Sequence, residues 1–136
     1  MKYEHLLKGH RLKITPQRIA IIELMYQKGH INIDELYSAI RKKFTSISLA
    51  TLYKNIHTMM EVSLIREVKV PGHKSKYEIE KESHIHVLCN VCGDLEDIPL
   101  NPAEILENAV KLSQYRTEEI SVVISGICPE CQKKSL

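Results

Sequence analysis

The chain has 136 residues, 43% hydrophobic and 26% charged, with no Trp and one Phe, a mix that suits one aliphatic-cored domain or two small ones and excludes a large multilayer enzyme. The net charge of +2 hides an asymmetry: residues 1–83 carry 15 Lys and Arg against 9 Asp and Glu, whereas residues 84–136 carry 4 against 8 and hold all four cysteines, so the first half suits a polyanion and the second suits cations. No apolar run approaches the roughly 18 residues of a membrane span, and the start, MKYEHLLKGHRLKIT, is too charged for a signal peptide, so a cytoplasmic protein is expected.

Three helices are expected in the first half. Thr15 followed by Pro16 is a cap with proline at the first helical position, and Ile19, Ile22, Leu24 and Met25 follow at near-helical spacing up to Gly29. Asn32-Ile33-Asp34-Glu35 has the form of a capping box and opens a helix that buries Leu36, Tyr37 and Ile40. Ser46 or Ser48 then caps a third helix with Leu52, Ile56, Met59 and Met60 inward. A short turn between two such helices is the helix-turn-helix pattern.

The apolar period then changes from 3.6 to 2. Ile65, Glu67 and Lys69 alternate against Arg66, Val68 and Val70, Pro71-Gly72 turns the chain, and Tyr77 and Ile79 resume a second strand. Helices followed by a hairpin make a winged helix, expected over residues 1–79, with the polar run 80–83 as a hinge. Residues 84–136 read as strand (84–88), Cys turn, strand (95–98), helix (102 to about 114), strand (120–126) and a second Cys pair. So short a segment needs a metal, a partner subunit, or both.

Cys89-Asn90-Val91-Cys92 and Cys128-Pro129-Glu130-Cys131 are two Cys-X-X-Cys pairs. Two residues between thiols let both point at one ion, and two such knuckles complete the four-sulfur tetrahedron that Zn(II) accepts readily. Four sulfurs leave no open position, so the site is structural. Redox-active pairs are the alternative.

His84 and His86 stand at i and i+2, on one face of a strand, and Asp97 and Glu78 lie close enough in sequence to join them. Two such histidines are more often merely exposed, but a mixed imidazole and carboxylate shell suits Fe(II) or Mn(II). His30, after Gly29 at a helix end, reads locally as a dipole-satisfying residue. In the third helix, Ser48, Thr51, Tyr53, Lys54 and Asn55 offer hydroxyls, a cation and an amide to phosphates and base edges, with Lys13, Thr15 and Arg18 adding contacts from the earlier helix. A polar helix face of this kind is as often simply solvated.

Together, Lys-Ile-Thr-Pro-Gln-Arg (13–18), Ser-Leu-Ala-Thr-Leu-Tyr-Lys-Asn (48–55), His-Ile-His-Val-Leu-Cys-Asn-Val-Cys-Gly (84–93) and the closing Cys-Pro-Glu-Cys resemble the ferric uptake regulator family in order and spacing. The resemblance covers essentially the whole chain. It implies an α+β protein: an N-terminal winged helix-turn-helix domain that binds a double-stranded DNA operator, then a small α/β dimerisation domain with a four-cysteine zinc site. It also implies a homodimeric metal-dependent repressor that is not an enzyme and has no small-molecule substrate. The regulatory Fe(II) or Mn(II) ligands implied are His30, Glu78, His84, His86 and Asp97, and an ion bound by all five would select the dimer geometry that fits two half-sites.

Within the family the pattern is mixed. Iron sensors usually carry a longer His-His-Asp-His run, which Ser83 and Ile85 interrupt here, and further His near the C-terminus, where Glu118-Glu119-Ile120-Ser121 stands instead. Asp97 matches the peroxide-stress repressors, in which an iron-bound His is oxidised, and His30 and His84 match the sensitive ligands. Glu78, where peroxide sensors commonly have Asp, points the other way. An iron- or zinc-responsive regulator on the same fold is the alternative, and a zinc-bearing oxidoreductase using the Cys pairs is a third reading.

Overall fold

Side-chain acceptors set the helix starts in the first half. In this computed structural model, which describes residues 2–134, helix α1 (Lys2–Gly9) leads into α2 (Pro16–Lys28). The Thr15 hydroxyl oxygen accepts from the Arg18 N–H at 3.2 Å, and Pro16 fills the first turn. Gly29 ends α2 at φ +77°, with its N–H donating to the Met25 carbonyl. A side chain at this φ would be strained, so glycine is what turns the chain sharply into His30 and the two-residue strand β1 (Ile31–Asn32).

Asn32 caps α3 (Ile33–Lys43) by accepting from the Glu35 N–H at 2.9 Å, and its amide donates to the Glu35 carboxylate at 2.8 Å. Ser48, not Ser46, caps α4 (Leu49–Glu61), accepting from the Thr51 N–H. The strands β2 (Ile65–Val68) and β3 (Lys76–Ile79) follow, and the first sheet runs β1-β3-β2, antiparallel throughout. Ile21, Ile22, Met25, Leu36, Ile40, Leu52, Ile56 and Met59 form the core under it. The helix-turn-helix of α3 and α4 with this hairpin is a winged helix.

The second half contains β4 (Ile85–Cys89), β5 (Leu95–Ile98), α5 (Ala103–Ser113), β6 (Val123–Gly126) and α6 (Pro129–Lys134). Its sheet has the order β5-β4-β6, with β4 antiparallel to β5 and parallel to β6. The chain divides into two compact units, Met1–Glu80 and Lys81–Leu136. Residue 1 of the first expected segment and residues 135–136 of the second lie outside the described residues.

Several local expectations shift. Helix α1, short and highly charged, gives little sequence signal, yet it buries Leu7 completely. In α2 the buried stripe runs through Ala20, Ile21, Ile22 and Met25, and Ile19 and Leu24 are only half-buried. Tyr37 and Met60 are half-buried as well. The strand expected over 84–88 runs one residue later, and the one expected from 120 begins at Val123. Helix α5 buries none of its residues, leaving Ile105, Val110 and Leu112 exposed beside Leu100 and Tyr115. Among the described residues, no helix is long and apolar enough to cross a membrane.

Candidate metal centres

The four cysteines converge where β4 and β6 end. Each sulfur lies within 4.8 Å of the others, and Cys92 Sγ and Cys128 Sγ are 3.9 Å apart. A tetrahedron with Zn–S bonds near 2.3 Å has S···S edges of about 3.8 Å, so the cluster has the size of a closed four-thiolate zinc site. The local fold aims the sulfurs. Gly93, at φ +80°, closes the first knuckle through an N–H···O bond to the Cys89 carbonyl, and the N–H groups of Cys92 and Cys128 donate to Cys89 Sγ at 3.5 and 3.3 Å. The Cys131 N–H donates to Cys128 Sγ in the same way.

These donors, Cys92 first, hold the Cys89 thiol down at about 6, whereas the hydrogen bond with Cys128, and then burial, push Cys131 up to about 12. One sulfur ionises readily because backbone donors surround it, and its neighbour, tied to Cys128 and buried, resists. A divalent ion is the natural partner of such a set. The oxidoreductase reading needs an exposed, reactive pair; here Cys89 and Cys131 are buried, and each pair spends its N–H groups on organising sulfurs.

A second set of donors gathers at β4, the residue before it, and β5 in the second unit. Register places His86 directly opposite Asp97, and His84 lies two residues before His86 on the same face. His86 Nε2 is 3.3 Å and His84 Nε2 is 3.6 Å from Asp97 Oδ1, and the two Nε2 atoms are 3.2 Å apart. Cis ligands of an octahedral ion with bonds near 2.1 Å stand about 3 Å apart. Two imidazoles and one carboxylate with these edges match the facial triad that binds Fe(II). Both histidines are buried. The Glu82 carbonyl accepts from His84 Nδ1 at 2.8 Å. A carbonyl can only accept, so Nδ1 is the donor in this bond, and Nε2 is the nitrogen turned toward the triad.

The first unit holds its own pair. Arg66 on β2 is registered opposite Glu78 on β3, and the β1–β3 register, carried one residue further, brings His30 opposite Glu78 from the other side. His30 Nε2 lies 3.0 Å from Glu78 Oε2, and Arg66 Nε lies 3.4 Å from Glu78 Oε1. Glu78 has no exposed surface. Of the expected regulatory residues, His30 pairs with Glu78 in the first unit, and His84, His86 and Asp97 converge in the second. Arg66, and Lys81 beside Asp97, escaped sequence reasoning because an isolated basic residue in a polar stretch carries no signal until strand register is known.

The residues expected to face nucleic acid divide by exposure. Lys13, Ser48, Thr51, Tyr53 and Lys54 are exposed, and Thr15, Arg18 and Asn55 are half-buried. Arg18 donates to Asn55 Oδ1 at 3.2 Å and to the Lys13 carbonyl at 2.9 Å, fixing the start of α2 against α4. The Ser48 hydroxyl donates to Thr51 Oγ1 at 2.9 Å while capping α4.

Residues 9–125 match the ferric uptake regulator family. The chain belongs to that family. Its members regulate transcription and are not enzymes. The peroxide operon regulator of Bacillus subtilis (strain 168) is 32% identical over 130 residues, covering 94% of this chain and 90% of the relative. The crystal structure of the Campylobacter jejuni peroxide stress regulator is 39% identical with a TM-score of 0.70, over 96% of this chain and all (100%) of that one. The Helicobacter pylori ferric uptake regulator, described as having three functional metal binding sites, is 25% identical with a TM-score of 0.71, over 96% of this chain and 89% of that one.

Changing one ligand of the four-sulfur cluster to an oxygen donor should empty it. Cys92→Ser protein should retain well under half of the zinc of the parent, measured by metal analysis after mild chelation. Far-UV circular dichroism should show the second unit losing strand signal, because structural zinc binding of about 10 to 16 kcal/mol is also folding free energy.

Proposed function

We propose that this family member is a cytoplasmic, homodimeric DNA-binding repressor that senses peroxide through an Fe(II)- or Mn(II)-binding regulatory site, with zinc held structurally by Cys89, Cys92, Cys128 and Cys131. The observation that carries the reading is the convergence of His84, His86 and Asp97 at 3.2 to 3.6 Å in a chain about one-third identical to peroxide regulators. His30 and Glu78 complete the ligand set. Residues 1–79 are the DNA-binding domain, 80–83 the hinge and 84–136 the dimerisation domain. Because ligands come from both, an ion bound by all five favours one relative orientation of the domains, and that orientation sets the spacing of the two DNA-reading helices.

Helix α4 is the recognition helix. Its exposed N-terminal face presents Ser48, Thr51, Tyr53, Lys54 and Asn55 to the major groove, and Lys13, Thr15 and Arg18 add contacts at the start of α2. Dimerisation covers the apolar face that α5 leaves exposed, with Leu112 89% and Tyr115 75% accessible. A patch of this kind marks an interface.

Bound Fe(II) supplies the one-electron chemistry that opens the O–O bond of peroxide. The chain supplies the target, an imidazole held against the ion. In net terms one imidazole C–H gains an oxygen atom and peroxide leaves as water. His30 and His84 are the residues oxidised. Loss of a ligand releases the ion, and the DNA-competent orientation goes with it. A metal-dose sensor, iron- or zinc-responsive, is the second reading, favoured by Glu78 and by the similarity to the Helicobacter pylori ferric uptake regulator.

Two outcomes test this. After a brief peroxide pulse of anaerobic Fe(II)-loaded protein, tryptic mass mapping should find one added oxygen on a peptide containing His30 or His84, together with loss of DNA binding. Asp97→Glu protein should keep metal-dependent DNA binding and lose that modification. Unmodified parent protein that still needs metal to hold DNA moves the chain to the metal-dose reading.

The DNA assignment predicts a salt signature. Lys54→Ala should lower the slope of log affinity against log salt by about 1, measured by fluorescence anisotropy on operator DNA, with zinc content unchanged. Loss of zinc in this variant contradicts the domain assignment.

A further inference from the structure

The two carboxylates of the regulatory set are divided in the same way. Glu78 turns Oε2 to His30 and Oε1 to Arg66. Asp97 turns Oδ1 to His84 and His86, and Oδ2 to Lys81. In each unit, then, one carboxylate oxygen faces imidazole and the other faces a cation of the same unit. Arg66 has Glu80 as a further acceptor, at 3.9 Å. Lys81 lines an open cleft with His84 and Asp97.

We infer that Arg66 and Lys81 are resident counter-ions of the regulatory site, which occupy the outer oxygen of each ligand carboxylate and thereby raise the concentration of divalent metal the site needs. The inference rests on the reading of Glu78 and Asp97 as ligands. A cation bonded to the outer oxygen acts in two ways. It holds the outer oxygen, so that an ion would be ligated through the inner one. It also draws negative charge away from that atom and repels an arriving divalent ion across a few ångströms.

The two sites of this device differ in strength. Glu78 is fully buried, and a buried carboxylate without a partner is costly, so Arg66 serves the metal-free protein and opposes the ion with little screening. Lys81 is 44% accessible and Asp97 27%, so water and salt weaken their pairing. Neither cation is a ligand. Both set how tightly the ligands bind.

The test is a titration of full-length, zinc-loaded protein with Mn(II), following free Mn(II) by electron paramagnetic resonance. Lys81→Gln should bind Mn(II) about two- to fivefold more tightly than the parent, the range expected for removing an exposed ion pair. Arg66→Gln should tighten it by about tenfold or more, since the buried pair is less screened, and Arg66→Lys, which keeps the charge, should stay near the parent value. If Arg66→Gln is too unstable to titrate, its Tm with and without Mn(II) decides. A counter-ion role predicts a larger Mn(II)-induced rise in Tm than in the parent, and a purely structural role predicts an equal one. Equal or weaker Mn(II) binding by Lys81→Gln, while the parent binds one Mn(II) per chain that His86→Ala abolishes, overturns the counter-ion role alone. A parent that binds no Mn(II) beyond its zinc overturns both this inference and the ligand reading beneath it.

Discussion

A fully buried carboxylate in the middle of a strand has to be paired, and Glu78 governs much of the first unit for that reason. Its partners come from both neighbours in the sheet: Arg66 directly across on β2, and His30 from the approach to β1. The pairing therefore agrees with one register of the wing hairpin. Sliding β2 against β3 by one residue would carry Arg66 away from Glu78 and turn Ile65 out of the core. The sharp turn at Gly29 matters for the same reason, since it takes the chain from α2 onto the edge of this sheet with His30 facing inward.

The second unit meets a different constraint. Three short strands, a helix that buries none of its residues and the six-residue α6 make too small a core to stand alone. The four-sulfur cluster joins the end of β4 to the start of α6 and so fixes β6 beside β4. That placement in turn holds β4 rigid at the strand carrying His86. The two metal centres are thus linked through one strand: Cys89 closes it, and His86 sits three residues earlier. Zinc held at one end of β4 would fix the frame that carries His86, and on the proposed reading a reversible ion near the other end would serve as the signal.

Much of this was legible in the sequence because the signals were local. Thr15-Pro16, Asn32 with Glu35, and the two Cys-X-X-Cys pairs each act within a few residues, and each appears where its pattern places it. The His84 and His86 pair was legible once a strand was assumed. Three features were not. Helix α1 is short and mostly polar, and it is held by Leu7 in the core with Tyr3 and Leu6 packed against that core. Strand β1 is two residues long and exists only by pairing with β3. Arg66 and Lys81 gain meaning from strand register and side-chain geometry, which are long-range properties. His30 shows the boundary well: its sequence neighbourhood suggests a helix-end histidine, and only the β3 partner reveals what it faces.

If, as proposed, one divalent ion is bound by residues of both units, its binding should change how the units are arranged. Small-angle X-ray scattering of the zinc-loaded protein, with and without Mn(II) under anaerobic conditions, tests it directly. Mn(II) should narrow the interatomic distance distribution of the parent and leave that of His30→Ala, which retains its zinc, unchanged. A parent whose scattering is the same with and without Mn(II), or a His30→Ala protein that narrows equally, would contradict it.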